Sequence, residues 1–200
     1  MPRLSFSKAS MHKEGEQLKR YKQYLPSLDL KRQQLIAERT KAIAELSATE
    51  EKIKKCRASV EEHLPMLADE TISLEDLVSV KQVLIAEENV VGIKVPVLQK
   101  IEIDCQSYSL ITKPHWVDQV VVLLTEMLEL QVQLKIDQQR EDVLQKAVKK
   151  VTQRVNLFDK VLIPKAQKNI AKIKIFLSDA ERAAVVRAKI TKQKRMKEAV

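Results

Sequence analysis

Only two glycines, Gly15 and Gly92, stand among the chain's 200 residues. Tight turns and phosphate-cradling loops need residues that accept left-handed backbone angles, and glycine is their usual source. A Gly-rich nucleotide loop is therefore excluded, and so is a fold made of many hairpins. The same scarcity leaves long stretches free to stay helical. Residues 27–64 contain neither proline nor glycine, and as one helix they would reach roughly 55 Å at 1.5 Å per residue. Few aromatic residues (4%) and many charged ones (32%) favour long solvated helices over a thick core.

Pro65 and Pro114 divide the chain into residues 1–65, 66–113 and 114–200, and charge changes at the same points. The first segment carries 14 Lys/Arg and 9 Asp/Glu, net +5; the middle carries 4 and 8, net −4; the last carries 18 and 10, net +8. This split predicts an N-terminal coiled-coil helix, a middle knob and a C-terminal coiled-coil helix with a basic end.

With Leu25 as heptad position a, the first segment places Leu25, Arg32, Arg39, Leu46, Ile53 and Val60 at a. Position d holds Leu28, Leu35, Ala42, Thr49, Cys56 and His63. About half to two-thirds of this seam is apolar, with Ile36 and Ile43 expected to widen it at e. Pro26 is expected to kink the helix near its start. The last segment carries a second stripe through Val117, Val120, Leu124, Met127 and Leu134. A polar gap, Asp137 to Asp142, interrupts it. It resumes at Leu144, Val148, Val151, Val155, Phe158 and Leu162, then steps four and four to Ala166 and Ile170 beside Pro164. Such a stutter is expected to unwind or bend the supercoil locally. As one helix, residues 116–195 would reach roughly 120 Å. Neither stripe can be buried alone, so the two helices are expected to pair with each other. The connection between them makes the pair antiparallel.

The middle segment differs in kind. Ser73-Leu74-Glu75-Asp76 has the form of a capped helix start. Val83–Ile85, Val90–Ile93, Val95–Leu98 and Ile101–Ile103 are strand-like, with turns expected at Glu87–Asn89 and Lys94–Pro96. The fold class is thus mainly α: a long antiparallel two-helix coiled coil with a small α+β, hairpin-containing knob between the helices. Trp116, the only tryptophan, is expected to pack the knob onto the helices.

Nothing in the sequence advertises a catalytic site. There is no Ser/His/Asp arrangement and no HExxH. Glu50-Glu51 and Glu61-Glu62 are adjacent on a helix and so face different directions. Cys56 and Cys105 lie far apart, and His12, His63 and His115 show no zinc-ligand spacing. No cofactor or metal is expected. No apolar run reaches the ~20 residues of a membrane-spanning helix. The start is polar after position 6, unlike a signal peptide, so a cytoplasmic chain is expected. The end carries the clearest charge signal: Arg182, Arg187, Lys189, Lys192, Lys194, Arg195 and Lys197 against one acid, Glu198. It reads either as a solvated helix end, favourable against the macrodipole, or as a contact for an acidic partner surface. It lacks the interleaved aromatics of a nucleic-acid platform.

Several runs resemble the D-subunit family of V-type and A-type rotary ATPases. In the last helix, Arg154-Val155-Asn156 and Ile163-Pro164 stand as in that family's Arg-Val-Asn and Val-Ile-Pro elements, with Phe158 and Asp159 differing between them. Ile170, Ile173, Leu177, Asp179 and Glu181-Arg182 are similar to its isoleucine-rich run into an acid and Glu-Arg. Asn89, Gly92 and Pro96 match an Asn-x-x-Gly-Val-x-x-Pro pattern, and Leu28–Leu35 resembles a run in the first helix. The resemblance implies a non-catalytic rotor shaft in a central stalk, without cofactor, coupling ATP hydrolysis or synthesis to proton or sodium translocation. The implied partners are the catalytic and regulatory subunits of a hexamer, a small central-stalk subunit, and a funnel subunit contacting the proteolipid ring. Nucleic acid is not among them, and the membrane is reached only through the complex. Arg182, Arg187, Lys189 and Lys192 are the expected contacts in the hexamer pore. A generic basic coiled-coil scaffold, or a nucleic-acid-binding helical arm, is the alternative reading.

Overall fold

Ser7 starts the first helix. Its hydroxyl accepts the Ser10 N–H at 3.2 Å and its carbonyl accepts the Met11 N–H at 3.0 Å, which satisfies donors that the first turn leaves open. The computed structural model describes residues 4–63, 77–106 and 114–198. Helix α1 spans Lys8–His63, strand β1 Val78–Val90, strand β2 Ile93–Cys105, helix α2 Trp116–Asn156 and helix α3 Ile163–Glu198. A π-helical turn, Leu157–Leu162, joins α2 to α3. The fold is mainly α with one small antiparallel hairpin. The capped helix expected at Ser73–Asp76 lies outside the described residues. Among the described residues, no helix is long and apolar enough to cross a membrane.

The chain forms two compact units, residues 32–150 and residues 1–31 with 151–200. In the first, α1 and α2 run antiparallel: Arg39 meets Glu141, Glu45 meets Arg140 and Thr49 meets Asp137. Leu35, Ala42, Thr49, Ile53 and Cys56 are buried on α1, and Val117, Val120, Ile136, Asp137 and Leu144 on α2. The α1 residues all occupy a or d positions. Ile36 and Ile43 do not widen the seam; each is 45% exposed. A single partner helix covers little more than an a/d stripe, so flanking e positions stay in water.

The polar run that begins at Asp137 is a bonded layer, not an interruption. Asp137, only 4% exposed, accepts the Thr49 hydroxyl at 3.0 Å on Oδ2 and the Gln133 amide at 2.7 Å on Oδ1. Arg39 directs Nε and Nη2 at Glu141 Oε1, both at 2.8 Å. Arg140 Nη1 reaches Glu45 Oε2 at 2.8 Å. Asp137 and Glu141 are thus desolvated against donors that offset their burial, while Glu45 remains largely in solvent.

Pro26 lies inside α1 without ending it. Proline removes the N–H that Lys22's carbonyl would accept. Both residues sit at exposed positions, where water can replace that bond, and the Ser27 hydroxyl donates to the Tyr24 carbonyl at 2.8 Å. Trp116 opens α2 and packs with Leu77, Val117 and Val120, joining the hairpin base to the helix. The Gln106 N–H donates to the Leu77 carbonyl at 3.0 Å, closing that base.

The turns expected at Glu87–Asn89 and Lys94–Pro96 are strand instead. The pairing runs without a break from Ile85↔Leu98 to Val90↔Ile93, so only Val91 and Gly92 form the turn. Both have positive φ, 53° and 79°. This is the backbone of a two-residue turn whose twist matches the strands. Gly92 adopts it freely, whereas β-branched Val91 is held in a region where it is strained. Replacing Val91→Asn, which tolerates this region, is expected to stabilise the hairpin by about 1 kcal/mol. Amide exchange at Val90 and Ile93 should slow by roughly fivefold; unchanged exchange would show that Val91 carries no strain.

Candidate functional site

The unit built from residues 1–31 and 151–200 holds the basic segment and five of the motif positions. Its helices also run antiparallel. The Phe6 and Phe176 rings lie 5.0 Å apart, and Lys8 is 3.6 Å from Glu181. Asn169 donates to Glu14 at 3.4 Å, and Tyr21 meets Phe158 edge-on at 5.5 Å. Val151, Val155, Ala166 and Ile173 are buried. Phe158, which departs from the family's pattern, therefore has its own aromatic partner here.

The unwinding expected at the stutter takes the form of the π turn. The Ile163 N–H donates to the Phe158 carbonyl five residues back, not four. Pro164 has no N–H, and its ring crowds the carbonyl four residues before it. A wider turn relieves that crowding, and it absorbs the step of four in the apolar stripe. Arg154 and Asn156 are exposed, Val155 is buried, and Ile163 and Pro164 are half-buried. These five motif positions thus flank one local distortion.

Beyond Glu181 every described position of α3 whose burial is resolved is exposed. Arg182, Arg187, Lys189 and Lys192 lie on this stretch. Arg182 makes a loose intrahelical contact with Asp179 at 4.0 Å, both side chains being mostly in solvent. Val185, Val186, Ile190 and Met196 are each about half exposed or more. The segment offers cations and apolar groups together on one exposed stretch.

Asn89, Gly92 and Pro96 gather at the hairpin tip, in the other unit. Asn89 pairs with Lys94, and Pro96 with Glu87. Lys94 Nζ lies 2.7 Å from Glu87 Oε2, and this hydrogen bond to a carboxylate raises the ammonium's pKa above its ordinary value. The same unit carries an apolar groove lined by Ser59, Asp118, Gln119, Val122 and Leu123, with Val122 66% exposed. Sequence reasoning missed this groove, because Val122 lies off the stripe that periodicity picks out. It also treated Asp137, Arg140 and Glu141 as a gap. The usable signal was the pair of polar seam residues, Arg39 and Thr49, on the other helix. Glu50, Glu51, Glu61 and Glu62 are all exposed.

The family profile that describes the D subunit of ATP synthase matches residues 10–193. The chain is 34% identical over 197 residues to the V-type ATP synthase D subunit of Borreliella burgdorferi, covering 98% of this chain and 97% of that one. It is 31% identical over 196 residues to the protein of the same name from Chlamydia felis, covering 96% and 93%. To that of Chlamydia abortus it is 32% identical over 196 residues, with the same coverage.

Two outcomes are expected at these sites. In Pro164→Ala the Ile163 N–H should return to the Asp159 carbonyl and the π turn should close to α, visible in a crystal structure; a retained π turn would show that packing, not proline, imposes it. The two thiols should differ in reactivity. Burial, with the Glu126 carboxylate adding to it, pushes the Cys56 thiol up, whereas Cys105 is exposed. At pH 7.5 iodoacetamide should modify Cys56 roughly tenfold or more slowly than Cys105, as read by mass spectrometry.

Proposed function

The chain belongs to the ATP synthase D-subunit family, and from that membership we propose that it is the non-catalytic shaft of a V/A-type ATPase central stalk. It couples ATP hydrolysis or synthesis in a catalytic hexamer to proton or sodium translocation by rotation. The observation that carries this reading is the family match over residues 10–193, which takes in both paired-helix regions and the hairpin. The reading needs no active site on this chain. ATP chemistry belongs to the catalytic and regulatory subunits around it, and the shaft sets their states by its asymmetry.

The physical features support such a role. A shaft must resist bending and twisting, and an antiparallel helix pair with its seam buried supplies both. It must also turn inside its sleeve without deep energy minima. A charged, solvated exterior favours that, since exposed ion pairs are individually weak. The basic, partly apolar end of α3, with Arg182, Arg187, Lys189 and Lys192, enters the hexamer pore and meets acidic or carbonyl-lined loops. The hairpin and the groove at Val122 face the small central-stalk subunit, and a funnel subunit links the shaft to the proteolipid ring. The protein works in the cytoplasm and is held at the membrane only through the complex.

Removing the residues after Ala180 tests this. In the assembled complex the truncated chain should be retained less well, and ATP hydrolysis should couple less tightly to ion movement. Assembly and ATP-driven rotation equal to those of the full chain would count against the shaft assignment.

A further inference from the structure

Among the polar contacts between the helices of the 32–150 unit are three pairs: Arg39–Glu141, Glu45–Arg140 and Thr49–Asp137. Two of the three recur in the sequence one heptad earlier. Arg32 stands seven residues before Arg39, and Glu38 seven before Glu45. Sliding α1 by seven residues in that sense brings Arg32 to Glu141 and Glu38 to Arg140, so both ion pairs re-form. The apolar seam repeats in part: Leu28 takes the place of Leu35 and Leu46 that of Ile53, whereas Arg39 moves into the place of Leu46 and Thr49 into that of buried Cys56. Pairs that recur with the heptad cannot distinguish two registers one heptad apart.

Thr49 breaks the repeat. In the displaced register Ala42 faces Asp137, and a carboxylate only 4% exposed loses its donor from the opposite helix. A buried acceptor left without its partner is the costly case, more so when it is charged. Sliding the other way is closed by charge and by the seam. It sets Lys52 against Arg140, Leu46 against Glu141 and Cys56 against Asp137. Of the two one-heptad displacements, the one toward Ala42 is the one that keeps both ion pairs.

We infer that the Thr49 hydroxyl, bonded to buried Asp137, selects the axial register of α1 on α2, and that the methyl of Ala42 completes the selection by offering no donor. The inference concerns the helix pair itself and holds whether or not the chain turns inside a hexamer.

The test moves the hydroxyl by one heptad in the full chain: Ala42→Thr with Thr49→Ala. Nitroxides carried by noncanonical amino acids at exposed Lys52 and Lys146 leave both cysteines in place, and pulsed dipolar spectroscopy reads their separation. The native chain should give one distance. The swapped chain should give one about 10 Å longer, seven residues at 1.5 Å each. Thr49→Val should populate both distances, and Thr49→Ser should keep the native one. A folded swap variant with the native distance overturns the inference, and so does a Thr49→Ser chain that departs from it. Should the swap variant fail to fold, Thr49→Val against Thr49→Ser decides: the same single distance in both overturns the inference, and a second distance in Thr49→Val alone upholds it.

Discussion

A helix that exposes one apolar stripe must find a second surface to cover it, and among the described residues the long surface that does so is another helix. That constraint governs both units. It explains why burial on α1 in the 32–150 unit falls at Leu35, Ala42, Thr49, Ile53 and Cys56, all a or d positions. It also explains why so few side chains are fully enclosed. A two-helix seam has no third layer behind it, so each buried residue matters more than in a globular core. Truncating Leu35 or Leu144, both nearly inaccessible, would remove contacts that no neighbouring element can rearrange to replace.

Much of the helical architecture was legible because heptad spacing reports the buried face directly. The d positions at Leu35, Ala42, Thr49 and Cys56 are buried as that spacing predicts, since each lies where one partner helix must sit. Ile36 and Ile43 were misjudged for the complementary reason: hydrophobicity alone does not tell how wide the covering surface is. The polar run at Asp137–Asp142 looked like an interruption because the periodicity of one helix carries no information about the residues opposite. Its meaning appears only when Thr49, Glu45 and Arg39 are set against it.

Strand-like runs were visible, but the turn was placed at polar residues on either side of its true position. Val91 gives no turn signal, being β-branched; only Gly92 does, and the two together adopt a turn that sequence preference assigns to Asn-Gly. The basic end of α3 was legible as charge. Its accompanying apolar residues, Val185, Val186 and Ile190, lie off the spacing of the buried stripe and stand in solvent. Membership of the D-subunit family was carried by short runs such as Arg154–Asn156 and Ile163–Pro164, not by any periodic property.

The π turn before Pro164 has a geometric effect further along α3. An α-helix advances about 100° around its axis with each residue. A π turn takes in one residue more than an α turn over the same rotation. Everything downstream is consequently re-clocked by about one residue's worth of azimuth, relative to an uninterrupted helix. The compass bearing at which Arg182, Arg187 and Lys189 leave the helix is thus decided some twenty residues upstream, by the hydrogen bond from Ile163 to Phe158.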